Sequence, residues 1–267
     1  MRRFHKLHGL GNDFMLVDAR QSPWTPDPST IAALADRHEG IGFDQLLILD
    51  TPAERAADVA CRIYNLDGSA AQQCLNGVRC IARYLADTSP GPVEWRIAAP
   101  AGQVIGARLQ GKGVELSLPL PRLLDTAPCD IDVPGRRLSV WRVDAGNLHA
   151  IAFGHEPREA RARFGRAVSV HPSFADGANA GFARFAGDGE IELAVFERGS
   201  GPTRACGSAA AAAAVAARAQ TARRGPWTVR QPGGVLVIDW DAAGETLVQR
   251  GPAVHVFQGE LIEQRFR

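Results

Sequence analysis

NLDGSAAQQCLNGVRC, residues Asn65 to Cys80, leaves an apolar stretch (Ala60 to Asn65), crosses a polar loop and enters a helix-forming run directly after Cys74. Half a chain later the same order returns in ERGSGPTRACGS, Glu197 to Ser208. There an apolar stretch (Ile191 to Phe196) and a glycine-containing loop precede Cys206 and a run of alanines. The two cysteines are 132 positions apart, and the same offset pairs Asn65 with Glu197, Pro100 with Pro232 and Gly102 with Gly234. Nearer the start of each half, Gly11-Asn12 is answered by Gly146-Asn147 and Gly42-Phe43 by Gly181-Phe182. Like elements in like order predict a duplicated architecture.

Working outward, helices are expected from Asn76 to about Ala86 and from Ser208 to about Ala222. Each is followed by a Gly-Pro stop, Gly91-Pro92 and Gly225-Pro226. Short alternating strands with turn glycines come next: VEWRIAA and QVIGARL in the first half, WTVRQ, VLVIDW and TLVQR in the second. Asp27 and Pro28 supply a cap and a first turn for one further helix, expected to end at Gly40. The fold class is therefore α+β, with two similar domains joined near the proline-rich stretch Pro119 to Pro121 and facing each other across a cleft.

The bulk numbers suit a soluble globular chain: 267 residues, 45% hydrophobic and 22% charged. Thirty basic residues against 29 acidic ones leave a net charge of +1, which gives no footprint for nucleic acid or an anionic membrane. A small-molecule partner is expected. The N-terminal arginines are not followed by an apolar signal core, and the longest apolar run, Ala209 to Ala217, is far short of a membrane span. The expected location is cytoplasmic.

Five cysteines, Cys61, Cys74, Cys80, Cys129 and Cys206, are odd in number and scattered, as reduced thiols rather than a disulfide framework. Their spacing matches no zinc site. No phosphate loop or nucleophile elbow is present. Cys61, Cys80 and Cys129 read as small buried hydrophobes.

Cys74 and Cys206 differ because each stands immediately before a helix. Free backbone N–H groups there should lower the thiol pKa and bind a carboxylate. Two such thiols, one ionised and one not, suit inversion of an α-carbon: one takes the proton from one face, the other delivers a proton to the opposite face. Amides fixed at the helix ends would stabilise the enediolate-like carboxylate, at about 3–4 kcal/mol for each donor. No pyridoxal phosphate or metal is then obligatory.

The segments HGLGNDF (His8 to Phe14), GFDQLL (Gly42 to Leu47), NLDGSAAQQCLNGVRC, GNLH (Gly146 to His149), NAGF (Asn179 to Phe182), ERGSGPTRACGS, QPGG (Gln231 to Gly234) and GPAVHVF (Gly251 to Phe257) resemble diaminopimelate epimerases in family order. The resemblance implies interconversion of LL- and meso-2,6-diaminopimelate without a cofactor, in lysine and peptidoglycan-precursor synthesis. It implies that Cys74 attacks the LL isomer and Cys206 the meso isomer, with His149 and Glu197 poising their ionisation. Substrate contacts carry over to the carboxamides of Asn12, Gln45, Asn65, Asn76, Asn147 and Asn179. Glu197 would meet an ammonium and Arg198 a carboxylate, and Leu75, Gly207 and Ser208 at the helix entrances are the remaining substrate contacts that the resemblance implies.

The resemblance further implies two pseudo-symmetric domains, each a small sheet or barrel round a central helix, spanning residues 1–118 with 251–267, and 119–250. It also implies a homodimer. Departures from the family pattern are Leu75 and Ala209, where glycine is usual, and Leu148, where proline is usual. If the glycine at position 75 uses positive φ, leucine would be strained there by roughly 1 kcal/mol or more. A related racemase for another amino acid, or an inactive amino-acid-binding module, are the alternative readings. A phenazine-type isomerase would lack the cysteine pair.

Overall fold

The computed structural model of the chain describes every residue except 54, 90, 92, 101 and 263–267, so Pro92 of the first expected helix stop lies outside the described residues. The chain forms two compact units, Met1–Leu116 with Gly251–Arg267, and Ser117–Arg250.

The first unit opens with a hairpin of β1 (Arg2–Gly9) and β2 (Asn12–Asp18), in which Gly9 faces Asn12. The two turn residues, Leu10 and Gly11, both have positive φ, 60° and 78°. That turn type matches the right-handed twist of paired strands. Then comes α1 (Pro28–Ala35), whose cap Asp27 accepts the Thr30 N–H. The helix stops at Asp36, short of Gly40. Asp36 takes the N–H groups of His38 and Glu39 on its carboxylate, which turns the chain out of the helix.

β3 (Gln45–Asp50) lies parallel to β2, and β4 (Val59–Asn65) antiparallel to β3. The two-residue β5 (Ala70–Ala71) folds back on β4, and α2 (Leu75–Thr88) crosses over to β6 (Glu94–Ala98), which is parallel to β4. β7 (Val104–Gln110) pairs with β6 and is followed by β8 (Gly113–Pro119). One core joins Phe4, Met15, Val17, Leu46 and Ile48 of the strands to Ile31 and Leu34 of α1.

The second unit repeats the plan. β9 (Arg122–Leu123) and β10 (Cys129–Val133) flank the hairpin of β11 (Arg136–Asp144) and β12 (Leu148–Phe153). α3 (Pro157–Ser169) crosses from β12 to the parallel β13 (Asn179–Gly187), and β14 (Glu190–Glu197) returns antiparallel. β15 (Gly201–Pro202) folds back on β14, and α4 (Gly207–Thr221) crosses to β16 (Trp227–Gln231), parallel to β14. β17 (Gly234–Trp240) and β18 (Thr246–Pro252) follow; the chain then re-enters the first unit, where β19 (Val254–Leu261) pairs with β1.

Each unit is therefore mostly antiparallel, and its parallel pairs are bridged by helices, as parallel strands require. All of Ala209–Ala217 in α4 is buried, so this helix is enclosed on every side and its small residues let its neighbours approach. Helix α3 was not anticipated from the sequence. Its apolar stripe is only Ala160, Phe164 and Val168 within an arginine-rich segment.

Strand register corrects one pairing drawn from the sequence. Gly42-Phe43 precedes β3, whereas Gly181-Phe182 lies inside β13, so the two are not equivalent. Phe14 of β2 faces Gln45, and His149 of β12 faces Asn179. Gln45 thus corresponds to Asn179, and Phe14 to His149.

Candidate active site

In both units a strand ends, a short loop folds back, and a cysteine caps the crossover helix. Cys74 caps α2 with extended backbone, and its sulfur accepts the Gly77 N–H at 3.4 Å. The thiol lies 3.6 Å from Asn12 Oδ1, which also accepts from Asn76 Nδ2 at 3.4 Å. Asn12 is delivered there by the β1–β2 turn. Gln45 and Asn65, opposite each other on β3 and β4, are joined through Gln45 Nε2 and Asn65 Oδ1 at 3.0 Å. Gln45 Oε1 is buried with no hydrogen-bond partner in the protein.

Leu75 is the first residue of α2 and is 6% exposed. Among the described residues only Leu10 and Ala222 combine a side chain with positive φ, so the strain foreseen at Leu75 is absent. Its side chain is buried apolar volume. Leu148 is half-buried and packs on the core of the second unit, and Ala209 is fully buried.

At the second helix, Cys206 is buried and donates its backbone N–H to Gln231 Oε1 at 2.8 Å. Its sulfur lies 3.4 Å from Ser208 Oγ and hydrogen-bonds the Glu197 carboxylate. Glu197 ends β14 and also accepts from Thr203 Oγ1 at 2.6 Å. Gln249, fully buried, holds the Gly207 carbonyl at 3.0 Å.

A lowered pKa was expected for both thiols. At Cys206 the opposite holds: burial first, and the Glu197 charge second, push the thiol well above its ordinary range. A helix dipole is worth about 0.3–1 kcal/mol at an exposed end, too little to offset burial beside a carboxylate. Glu197 is itself raised by burial, against the lowering effect of its bonds to Thr203 and Cys206. The Cys206 thiol is thereby held protonated beside the Glu197 carboxyl group. Burial also raises Cys80 and Cys129, and takes Cys61 up to about 12, which leaves these three as packing groups.

His149 is fully buried, and its Nε2 meets Asn147 Oδ1 at 2.9 Å. Oδ1 only accepts, so Nε2 carries the proton and the partnerless Nδ1 carries the lone pair. Burial lowers its pKa to about 3, so the ring is neutral. Asn179 Oδ1 accepts the Arg198 N–H at 2.9 Å. The Arg198 guanidinium is exposed and bonded to the Asp176 carbonyl at 2.7 Å.

Sequence reasoning missed Thr203, Gln231 and Gln249 as partners of this group. Thr203 and Gln231 lie inside the quoted ERGSGPTRACGS and QPGG segments, whereas Gln249 carried no signal. Among the described residues no group of three or more His, Cys, Asp or Glu is arranged to hold a metal. No described helix is long and apolar enough to cross a membrane.

This architecture is shared with solved structures. A probable proline racemase from Agrobacterium radiobacter K84 superposes with a TM-score of 0.74 at 14% identity, covering 98% of this chain and 93% of that one. A Bacillus anthracis phenazine biosynthesis protein of the PhzF family gives 0.72 at 16%, covering 98% and 99%. At such identities the likeness concerns the fold alone. The diaminopimelate epimerase family model matches residues 4–111 and 142–256. A diaminopimelate epimerase from Azoarcus sp. (strain BH72) is 38% identical over 272 aligned positions, covering 97% of this chain and 98% of that protein. The chain belongs to the diaminopimelate epimerase family, a family of isomerases.

Proposed function

We propose that the protein interconverts LL- and meso-2,6-diaminopimelate by a two-base reaction of Cys74 and Cys206, in lysine and peptidoglycan-precursor synthesis, as a cytoplasmic homodimer. The observation that carries this reading is the repeated one: in each unit a cysteine caps the buried crossover helix. In the LL-to-meso direction the Cys74 thiolate takes the α-proton and the Cys206 thiol gives its proton to the carbon. The reaction ends with the two protonation states exchanged, and the reverse reaction exchanges the roles.

Cys206 held as a thiol suits the donor role, and Glu197 is placed to draw off its proton when it must act as base. The neutral His149 orients Asn147 and keeps a lone pair available. Amides of Leu75 and Asn76, and of Gly207 and Ser208, at the two helix ends are the donors for developing carboxylate charge. Gln45, Asn65 and Asn179, with Arg198, serve the amino and carboxyl groups at the distal end of the substrate. The proposed domains are 1–118 plus 251–267, which carries Cys74, and 119–250, which carries Cys206.

Incubation of each diaminopimelate isomer in deuterium oxide tests this directly. The α-position is expected to exchange in the native protein, and Cys74→Ala and Cys206→Ala, both folded, are expected to lose epimerisation. Substantial turnover by either variant, or exchange only into a different amino acid, overturns the proposal.

A further inference from the structure

We propose that Arg79 and Asp44 are positioning residues that lock the carboxamides of Asn76 and Asn12, and so decide which polar atom faces the Cys74 sulfur. The two ends of a carboxamide are nearly identical in shape but opposite in function, so a charged neighbour must choose its orientation. Asn12 Nδ2 donates to the Asp44 carboxylate at 3.0 Å. A carboxylate only accepts, so Asn12 turns Oδ1 toward Cys74 and toward Asn76 Nδ2. At the other end the Arg79 guanidinium only donates, and it holds Asn76 Oδ1. Asn76 must then present Nδ2 to Asn12.

The result is a chain from an anion to a cation, Asp44 to Asn12 to Asn76 to Arg79, with every hydrogen-bond dipole aligned the same way. Such alignment strengthens each link.

The fold makes room for this chain. Arg79 is fully buried, with Nε 3.4 Å from the Pro252 carbonyl. Gly9 of β1 lies against it: a Cβ there would stand 3.3 Å from the Asn76 carbonyl oxygen and 3.5 Å from the guanidinium. Asp44 is fixed in turn by Arg37 at 2.8 Å and by the Asp13 N–H at 3.1 Å. The ionisable groups around Cys74 are Arg79 and Cys80 on α2, Cys61 on β4, Asp44 before β3, and Asp13 on β2 with its partners Lys6 and Arg37. The Arg79 guanidinium and the Cys74 sulfur interact electrostatically.

This inference rests on Cys74 being a reactive thiol. Its test therefore reads the thiol without turnover: iodoacetamide alkylation of Cys74 in the intact protein, followed against pH by mass spectrometry of its peptide. Arg79→Met should move half-maximal alkylation up by roughly 0.5–1 pH unit, because a buried cation is lost. Arg79→Lys should restore most of that shift.

Asp44→Ala should move it down, because an anion is lost and Asn12 is freed to turn Nδ2 toward the sulfur. Opposite signs are the signature; general loosening of the site would move both variants the same way. Asp44 is partly exposed, so its variant carries the test even if Arg79→Met does not fold. No shift, or shifts of one sign, overturns the inference. Opposite shifts in a protein that fails to exchange diaminopimelate would refute the proposed function and leave this inference standing.

Discussion

The Cys206 thiol is hydrogen-bonded to the Glu197 carboxylate where β14 gives way to α4, and the position equivalent to Glu197 in the other unit is held by Asn65, a neutral group. A duplicated scaffold thus carries different groups at equivalent positions, a carboxylate at Glu197 and a carboxamide at Asn65. Glu197→Gln keeps the shape and removes the carboxylate, the base of the proposed reaction. Exchange of solvent deuterium into meso-diaminopimelate should fall by about 10²–10⁴. Burial raises Glu197, so the acid limb of the native pH profile should lie above the usual carboxylate range and vanish in the variant. A variant with the native rate and profile would remove Glu197 from the reaction.

His149 makes a prediction about stability. Its folded pKa is depressed from 6.5 to about 3 by burial, so between those values the unfolded chain binds a proton that the folded chain refuses. The folded state is therefore favoured at neutral pH and loses stability as pH falls from 6.5 toward 3, by about 1.4 kcal/mol per pH unit. His5, lowered to about 4 by burial, by His255 and by Arg3, adds a similar loss. His149→Phe, which installs the residue found at the equivalent Phe14, should flatten the slope of unfolding free energy against pH by one proton. An unchanged slope in urea titrations from pH 7 to 4 would show that His149 is not neutral in the folded chain.

The cysteine caps were legible because a strand, loop, cysteine and helix leave a local trace, and the trace occurs twice. Their surroundings were not legible. Gln231 reaches the Cys206 amide from a strand 25 residues away, and Arg79 reaches the Pro252 carbonyl across 173, so only the folded register reveals either contact. Helix α3 escaped for a different reason: a stripe of Ala160, Phe164 and Val168 is thin beside five charged neighbours, Arg158, Glu159, Arg161, Arg163 and Arg166. The sign of the Cys206 shift could not be foreseen either, since a helix start is a sequence feature and burial is not.

Gly165 in α3 shows what that thin stripe demands. A Cβ at this position would lie 2.8 Å from Cβ and Cδ2 of Phe196, close to the β14 backbone and unable to yield. Gly165→Ala gains about 1 kcal/mol of helix propensity. Overpacking should exceed it, for a net loss of roughly 1–2 kcal/mol in denaturant unfolding. Net stabilisation would mean that α3 can move away from β14 without cost.

Leu75 separates packing from specificity. It departs from the family glycine, yet its side chain is 6% exposed and its φ is not positive, so a glycine there would relieve no strain. Leu75→Gly instead removes a buried isobutyl group from the first turn of α2 and should cost about 2–5 kcal/mol, read as a lower urea midpoint. If the side chain is packing alone, the ratio of exchange rates between LL-diaminopimelate and other L-amino acids stays at its native value in the folded variant. A changed ratio with an unchanged midpoint would assign Leu75 to substrate selection, and the departure from glycine would then be a determinant of which amino acid is turned over.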